Sequence, residues 1–92
     1  RLMFEIATKP IHLFLDFNAV IVNLDSLNSD SQKSCIESIE KNVASLKSYL
    51  EQNLREKENV PEIPETGMAV LQQQFVLVEA IEKWIASLKE KF

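Results

Sequence analysis

The chain has 92 residues and a formal net charge of −4, so it forms one domain at most and is acidic overall. Gly occurs once and Pro three times, and this scarcity of turn-forming residues argues against a fold of many short strands. The basic residues are interleaved with acidic ones and only two of them are arginines, so the sequence predicts no nucleic-acid partner.

Cysteine usage and hydropathy bear on the cellular compartment. Cys35 is the only cysteine and excludes an internal disulfide. Because small secreted domains usually depend on disulfides, we expect a reducing, intracellular, cytoplasmic location. Polar residues interrupt the longest apolar-rich stretch, 11–24, which is shorter than the about 20 residues of a membrane span, so no span is predicted. Since the chain begins at Arg1 rather than Met, we expect it to be a piece of a longer protein.

The first predicted elements are a short N-terminal segment and a helix over residues 10–27. Apolar residues alternate over residues 1–9, which fits an extended arm or short strand, and a short helix fits equally. Pro10 suits the first turn of the following helix, with Thr8 as a candidate cap. The apolar positions of that helix step by four and three: Leu13, Phe17, Val20, Leu24 and Leu27. Consecutive β-branched residues at 20–22 leave a strand as the alternative.

The second predicted helix, residues 30–59, has the clearest pattern in the chain. Its apolar positions step by three and four, which places one narrow apolar stripe on a helix: Ile36, Ile39, Val43, Leu46 and Leu50. Ser29 and Gln32 fit a capping box at its start. A proline-containing loop at 60–66 follows, and its last residue, Thr66, is a candidate cap for the next helix.

The third predicted helix covers residues 67–91. Its main apolar stripe is flanked by Val70, Leu77 and Trp84, which recur every seven residues. The predicted core combines the stripes of the last two helices: Ile36, Ile39, Val43, Leu46, Leu50, Phe75, Val78, Ile85 and Leu88. These patterns predict an all-α fold, a single helical domain over 1–92. We expect an antiparallel, up-down-up three-helix bundle with coiled-coil-like packing.

Residue types that carry chemistry are sparse. His12 is the only histidine. A free cysteine such as Cys35 is usually buried and unreactive, although a thiol near the start of a helix can be reactive. No metal-ligand spacing occurs, and one glycine cannot build a phosphate-binding loop. We therefore expect no catalytic residues, no metal and no cofactor, and a chain that is not an enzyme.

The surplus of apolar helix surface is the feature that suggests a function. A 92-residue bundle gains stability by association, so we expect a non-catalytic protein–protein interaction module, an oligomerisation or adaptor domain that is most simply a homodimer. The candidate interface residues are Leu13, Phe17, Val20, Leu24 and Trp84. One alternative is a small acidic chaperone or immunity-type protein that sequesters a partner helix. A second is a ligand-binding or enzymatic helical bundle.

Overall fold

The computed structural model describes residues 2–92, which form an all-α helical hairpin with a short N-terminal helix. In chain order the helices are α1 (Leu2–Thr8), α2 (Asn18–Ile21), α3 (Ser29–Glu58) and α4 (Glu65–Lys91), with one 3-10 turn at Leu24–Ser26. The long helices α3 and α4 pack antiparallel. The predicted fold class, all-α, is confirmed, but the expected three-helix bundle is a two-helix hairpin.

Helix α3 begins because Asn28 caps it. Asn28 has an extended backbone, and its side-chain oxygen accepts a hydrogen bond from the backbone N–H of Ser31 at 2.8 Å. The expected capping box on Ser29 is wrong, since Ser29 already lies inside the helix. Gln32 instead donates from its side chain to the carbonyl of Leu24 at 2.8 Å, which ties the 3-10 turn to the start of α3.

Helix α4 begins at Glu65, two residues before the predicted start. Pro64 precedes it with an extended backbone, and the Pro64 carbonyl accepts from the N–H of Met68 at 3.1 Å. Proline is suited to this position because its fixed φ sets the entry angle of the chain. Thr66 is therefore in the first turn and not at the cap, which corrects the sequence prediction.

The predicted continuous helix over residues 10–27 does not form. Residues 10–15 have no regular structure, and α2 is a single turn that ends before the 3-10 turn. A helix that is apolar almost all round has to be buried on most sides, and a two-helix hairpin offers only one groove to it. The β-branched run at 20–22 further lowers the helix propensity. Residues 10–27 therefore form irregular backbone, one helical turn and one 3-10 turn instead of a continuous helix.

The core lies between α3 and α4 and is closed at one end by the 3-10 turn. Its buried residues are Leu24, Ile36, Ile39, Val43, Leu50, Val78 and Ile85. Most predicted core residues are confirmed as buried, and Phe75 and Leu88 pack partly buried against them. Leu46 is the exception: it is 49% exposed, because no third long helix covers that side of α3.

Candidate protein-interaction surface

An apolar groove lies between the irregular segment before α2 and one face of α4. Its volume is about 430 Å³, within the range of about 300–1,000 Å³ usual for ligand pockets. We call it the apolar groove and define it by its lining residues: His12, Leu13, Phe14, Leu15, Asn18, Leu77, Ala80, Ile81 and Trp84. All but His12 and Asn18 are apolar, so the groove is suited to apolar side chains.

Helical spacing places the α4 wall of the groove. Leu77, Ile81 and Trp84 lie at positions i, i+4 and i+7, which share one face of a helix. This face is adjacent to the core face, where Val78 and Ile85 are buried against α3. Leu77 and Trp84 belong to the second apolar stripe of α4, which the sequence shows as a seven-residue repeat, whereas Ile81 also packs against the core.

The opposite wall is held in place by an aromatic contact and a core residue. The Phe17 ring stacks on the Trp84 indole, with ring centroids 5.9 Å apart and planes inclined by 16°. Leu24, seven residues further along, is sealed in the core. These two anchors fix the segment at its α2 end, while Leu13 is 84% exposed and Phe14 is similarly open.

Helix α1 is a second apolar surface. None of its seven residues is buried, and its four large apolar side chains are 59–76% exposed: Leu2, Met3, Phe4 and Ile6. At 100° per residue these side chains cover a broad arc, whereas Glu5 and Thr8 lie together on the remaining side. We call this arc the apolar face of α1.

The predicted interface residues fall in three different environments. Leu13 and Trp84 both line the apolar groove, and the Phe17 ring stacks on Trp84 without being a lining residue itself. Val20 is exposed but lies near Cys35, away from the groove. Leu24 is 1% exposed, so the proposal that it contacts a partner is corrected: the 3-10 turn directs its side chain into the core.

Several groove residues were not among the predicted interface residues. Phe14 and Leu77 line it together with Leu13. Leu77 could have been found from its seven-residue spacing to Trp84. Phe14 could not, because the helical spacing assumed for residues 10–27 places it on a different face from Leu13, whereas the irregular backbone brings both to one groove.

Charged contacts lie along the hairpin rather than in the groove. Lys47 Nζ donates to Glu82 Oε1 at 2.8 Å, and Lys89 pairs with Glu40 at 3.1 Å, so both bridges join α3 to α4. The hydrogen bond to Glu82 raises the pKa of Lys47, and the negative charges of Glu79 and Glu51 act in the same direction. His12 is the only ionisable residue among those that line the groove.

Two other features of the described part of the chain bear on metal binding and membrane spanning. Residues 2–92 contain no group of three or more His, Cys, Asp or Glu side chains placed to hold a metal ion. Within the same range, every helix falls short of the length and apolar character that a membrane crossing requires.

Compared with known proteins, the chain matches no protein family, and no curated protein or solved structure is significantly similar to it.

The whole chain exposes more surface than its mass leads one to expect. Its accessible surface is 7539 Å², whereas a folded monomer of 10.6 kDa exposes about 5,500 Å². The radius of gyration is 17.1 Å, compared with about 12 Å for a compact domain of this length. The excess includes the exposed apolar side chains of α1, of the segment before α2 and of the groove wall on α4.

Proposed function

We propose that this chain is a non-catalytic protein–protein interaction module, a helical oligomerisation domain that binds another helical chain in the apolar groove. The observation that carries the proposal is the groove itself, an open concave surface lined by seven apolar residues beside a fully formed core. Contiguous exposed apolar surface of this kind marks interaction sites. Trp84 and Phe14 supply the aromatic side chains that act as anchors in interfaces.

The area of exposed surface supports the same function. The excess over a compact monomer is about 2,000 Å², while a specific interface removes about 800 Å² from each partner. Association through the groove would therefore remove about two fifths of this excess. It would also add stability to a hairpin whose own core is small.

A second candidate is a small acidic protein that sequesters the helix of a different chain. The groove wall on α4 has the i, i+4, i+7 spacing that receives an amphipathic helix, and this observation favours helix capture. The two functions differ in one respect, which is whether the purified chain associates with itself.

The test is the mass of the purified chain in solution, measured by light scattering and sedimentation equilibrium. Leu13→Glu and Leu77→Glu place a charge on each wall of the groove. Val76→Glu is the matched control, because Val76 neighbours Leu77 on α4 and is more exposed (61% against 49%) but does not line the groove. Circular dichroism checks that each variant keeps its helices.

We expect the wild-type chain and Val76→Glu to associate, and both groove variants to be monomers. If all four proteins have the same associated mass, the groove is not the interaction surface and the proposal is wrong. A monomeric wild type that forms a 1:1 complex with an added amphipathic helix, and loses it on Leu77→Glu, would replace oligomerisation by the second candidate.

A further inference from the structure

We propose that the occupant of the apolar groove is helix α1 of a second copy of this chain, exchanged reciprocally in a two-fold symmetric dimer. The inference rests on the proposed function and names its partner. The two surfaces it joins are the apolar face of α1 and the apolar groove, which lie close together in the sequence but leave one another uncovered.

Helix α1 is too short and too exposed to be stable without a tertiary contact. It has seven residues, none of them buried, and isolated helices shorter than about 12–15 residues are marginal in water. The Thr8 hydroxyl shares its one proton between the carbonyl oxygens of Phe4 and Glu5, at 3.0 and 3.1 Å, which satisfies polar groups of the last turn. A helix that presents a broad apolar face is suited to bind in an apolar groove.

The groove of the same chain is poorly placed to receive α1. Only Lys9, Pro10 and Ile11 separate the helix from His12, the first residue of the groove, and three residues span at most about 10 Å. Pro10 fixes its own φ and disfavours helical backbone at Lys9, so the connection remains extended. Folding α1 back onto residues 12–15 would require a reversal within this short connection. A short connection that prevents closure within one chain favours exchange between two chains.

A second copy covers both surfaces, whereas a foreign helix would cover the groove and leave α1 exposed. In a two-fold arrangement each chain gives one α1 and receives one, so the two contacts are identical. The large exposed side chains of the two surfaces are Leu2, Met3, Phe4, Ile6, Leu13, Phe14, Leu15, Leu77 and Trp84. Because these side chains are 38–84% exposed and each covers on the order of 100 Å² when fully exposed, docking would remove about 600 Å² per chain. The dimer would then bury about 1,200 Å², which reaches the lower end of the range for specific complexes.

Charge does not oppose the contact. Glu5 is the only ionisable residue of α1, and it lies with Thr8 on the side away from the apolar face. Among residues 2–92, the groove contributes His12 as its only ionisable residue. Docking would therefore bury apolar surface without removing a carboxylate or an ammonium group from water, which is the condition for a favourable apolar contact.

The experiment measures the dimer dissociation constant of the full chain by sedimentation equilibrium for four proteins: wild type, Phe4→Glu on α1, Leu77→Glu on the groove, and the control Val76→Glu. Loss of one buried large apolar side chain corresponds to about 100-fold in affinity, and each substitution occurs in both contacts. We expect Phe4→Glu and Leu77→Glu each to weaken the dimer at least about 100-fold, and Val76→Glu to leave it unchanged.

Mixing the two weakened variants provides the second readout. Each retains one half of the contact, so an equimolar mixture restores a single intact pairing of α1 with the groove. We expect the mixture to form dimers at a concentration at which each variant alone is monomeric. Amide exchange at residues 2–8 should slow in the wild-type dimer and return to the fast rate in Leu77→Glu, because docking protects α1.

The outcomes separate this inference from the function on which it rests. If Phe4→Glu dimerises like the wild type while Leu77→Glu does not, the groove mediates association but α1 is not its occupant. If neither substitution changes the dissociation constant, both proposals are wrong. A wild-type chain that stays monomeric at millimolar concentration would refute the exchange, and the groove would then be tested with an added helix as described above.

Discussion

The Phe17 ring lies nearly parallel to the Trp84 indole, with their centroids 5.9 Å apart. This contact joins the irregular N-terminal segment to α4, and it leaves Trp84 40% exposed on the side that lines the groove. One residue pair therefore serves both the folding of the chain and the shape of the candidate site. The position of the wall formed by residues 12–15 depends on it.

Substitution of Phe17 by Ala should lower the free energy of unfolding by about 1–3 kcal/mol, because a half-buried ring and a stacked aromatic pair are both lost. Urea unfolding at one fixed protein concentration measures the change, and the fluorescence of Trp84, the only tryptophan, reports the environment of the pair. Tyr49→Ala removes an exposed ring elsewhere on α3 and should change stability by less than about 0.5 kcal/mol. Equal effects of the two substitutions would mean that the stacked pair does not hold the segment.

The burial of Leu24 leads to a second prediction. Leu24→Ala leaves a cavity in the core and should lower the free energy of unfolding by about 2–5 kcal/mol. Val22→Ala, two residues earlier on an exposed side chain, should have an effect within about 0.5 kcal/mol. Thermal and urea unfolding followed by circular dichroism compare the two. A neutral Leu24→Ala would return this residue to the list of possible partner contacts.

The long helices could be predicted from the sequence because two local signals agreed at each of them. For α3, a sustained heptad stripe coincided with a polar break at its start, and the predicted and observed bounds differ by one residue at each end. For α4, the predicted end, Lys91, is the observed one. The predicted start is two residues late, because the residue before the helix is Pro64, which has no side chain that can accept a capping hydrogen bond.

The segment before α3 could not be predicted in the same way. Periodicity shows that the residues from Leu13 to Leu27 have an apolar face, but it does not show whether the rest of the fold offers a surface to bury it. The choice between Asn28 and Ser29 as the cap likewise depends on which residue adopts the extended backbone, and both residue types cap helices well. The groove arises where the predicted helix fails to form. The sequence therefore predicts Leu13 and Trp84 as interface residues but does not show that Leu13, Phe14 and Leu15 together form one wall.

The cap of α3 provides a third prediction. Asn28→Ala removes the acceptor of the Ser31 N–H and should destabilise the hairpin by about 1 kcal/mol. Ser29→Ala, at the position that the sequence alone suggests, should change the free energy of unfolding by a few tenths of a kcal/mol at most. Urea denaturation of the two variants side by side distinguishes them. A larger loss in Ser29→Ala than in Asn28→Ala would show that the helix begins one residue later.

The bridge between Lys47 and Glu82 should make stability depend on alkaline pH. Since the pKa of Lys47 in the folded chain is raised above its ordinary 10.5, the folded state holds this proton more tightly than the unfolded state. The contribution is complete below pH 10.5 and is lost as the pH rises through the raised value.

Lys47→Met keeps the aliphatic stem and removes the charge, and it should destabilise the hairpin at pH 7 to 9, with a smaller effect at high salt. Lys83→Met, at an exposed position of α4, is the control for the loss of one positive charge. The difference in unfolding free energy between the two variants should be constant below pH 10 and should shrink above pH 10.5. Because both variants share every other titrating group, a difference that stays constant to pH 12 would show that the bridge adds nothing to stability.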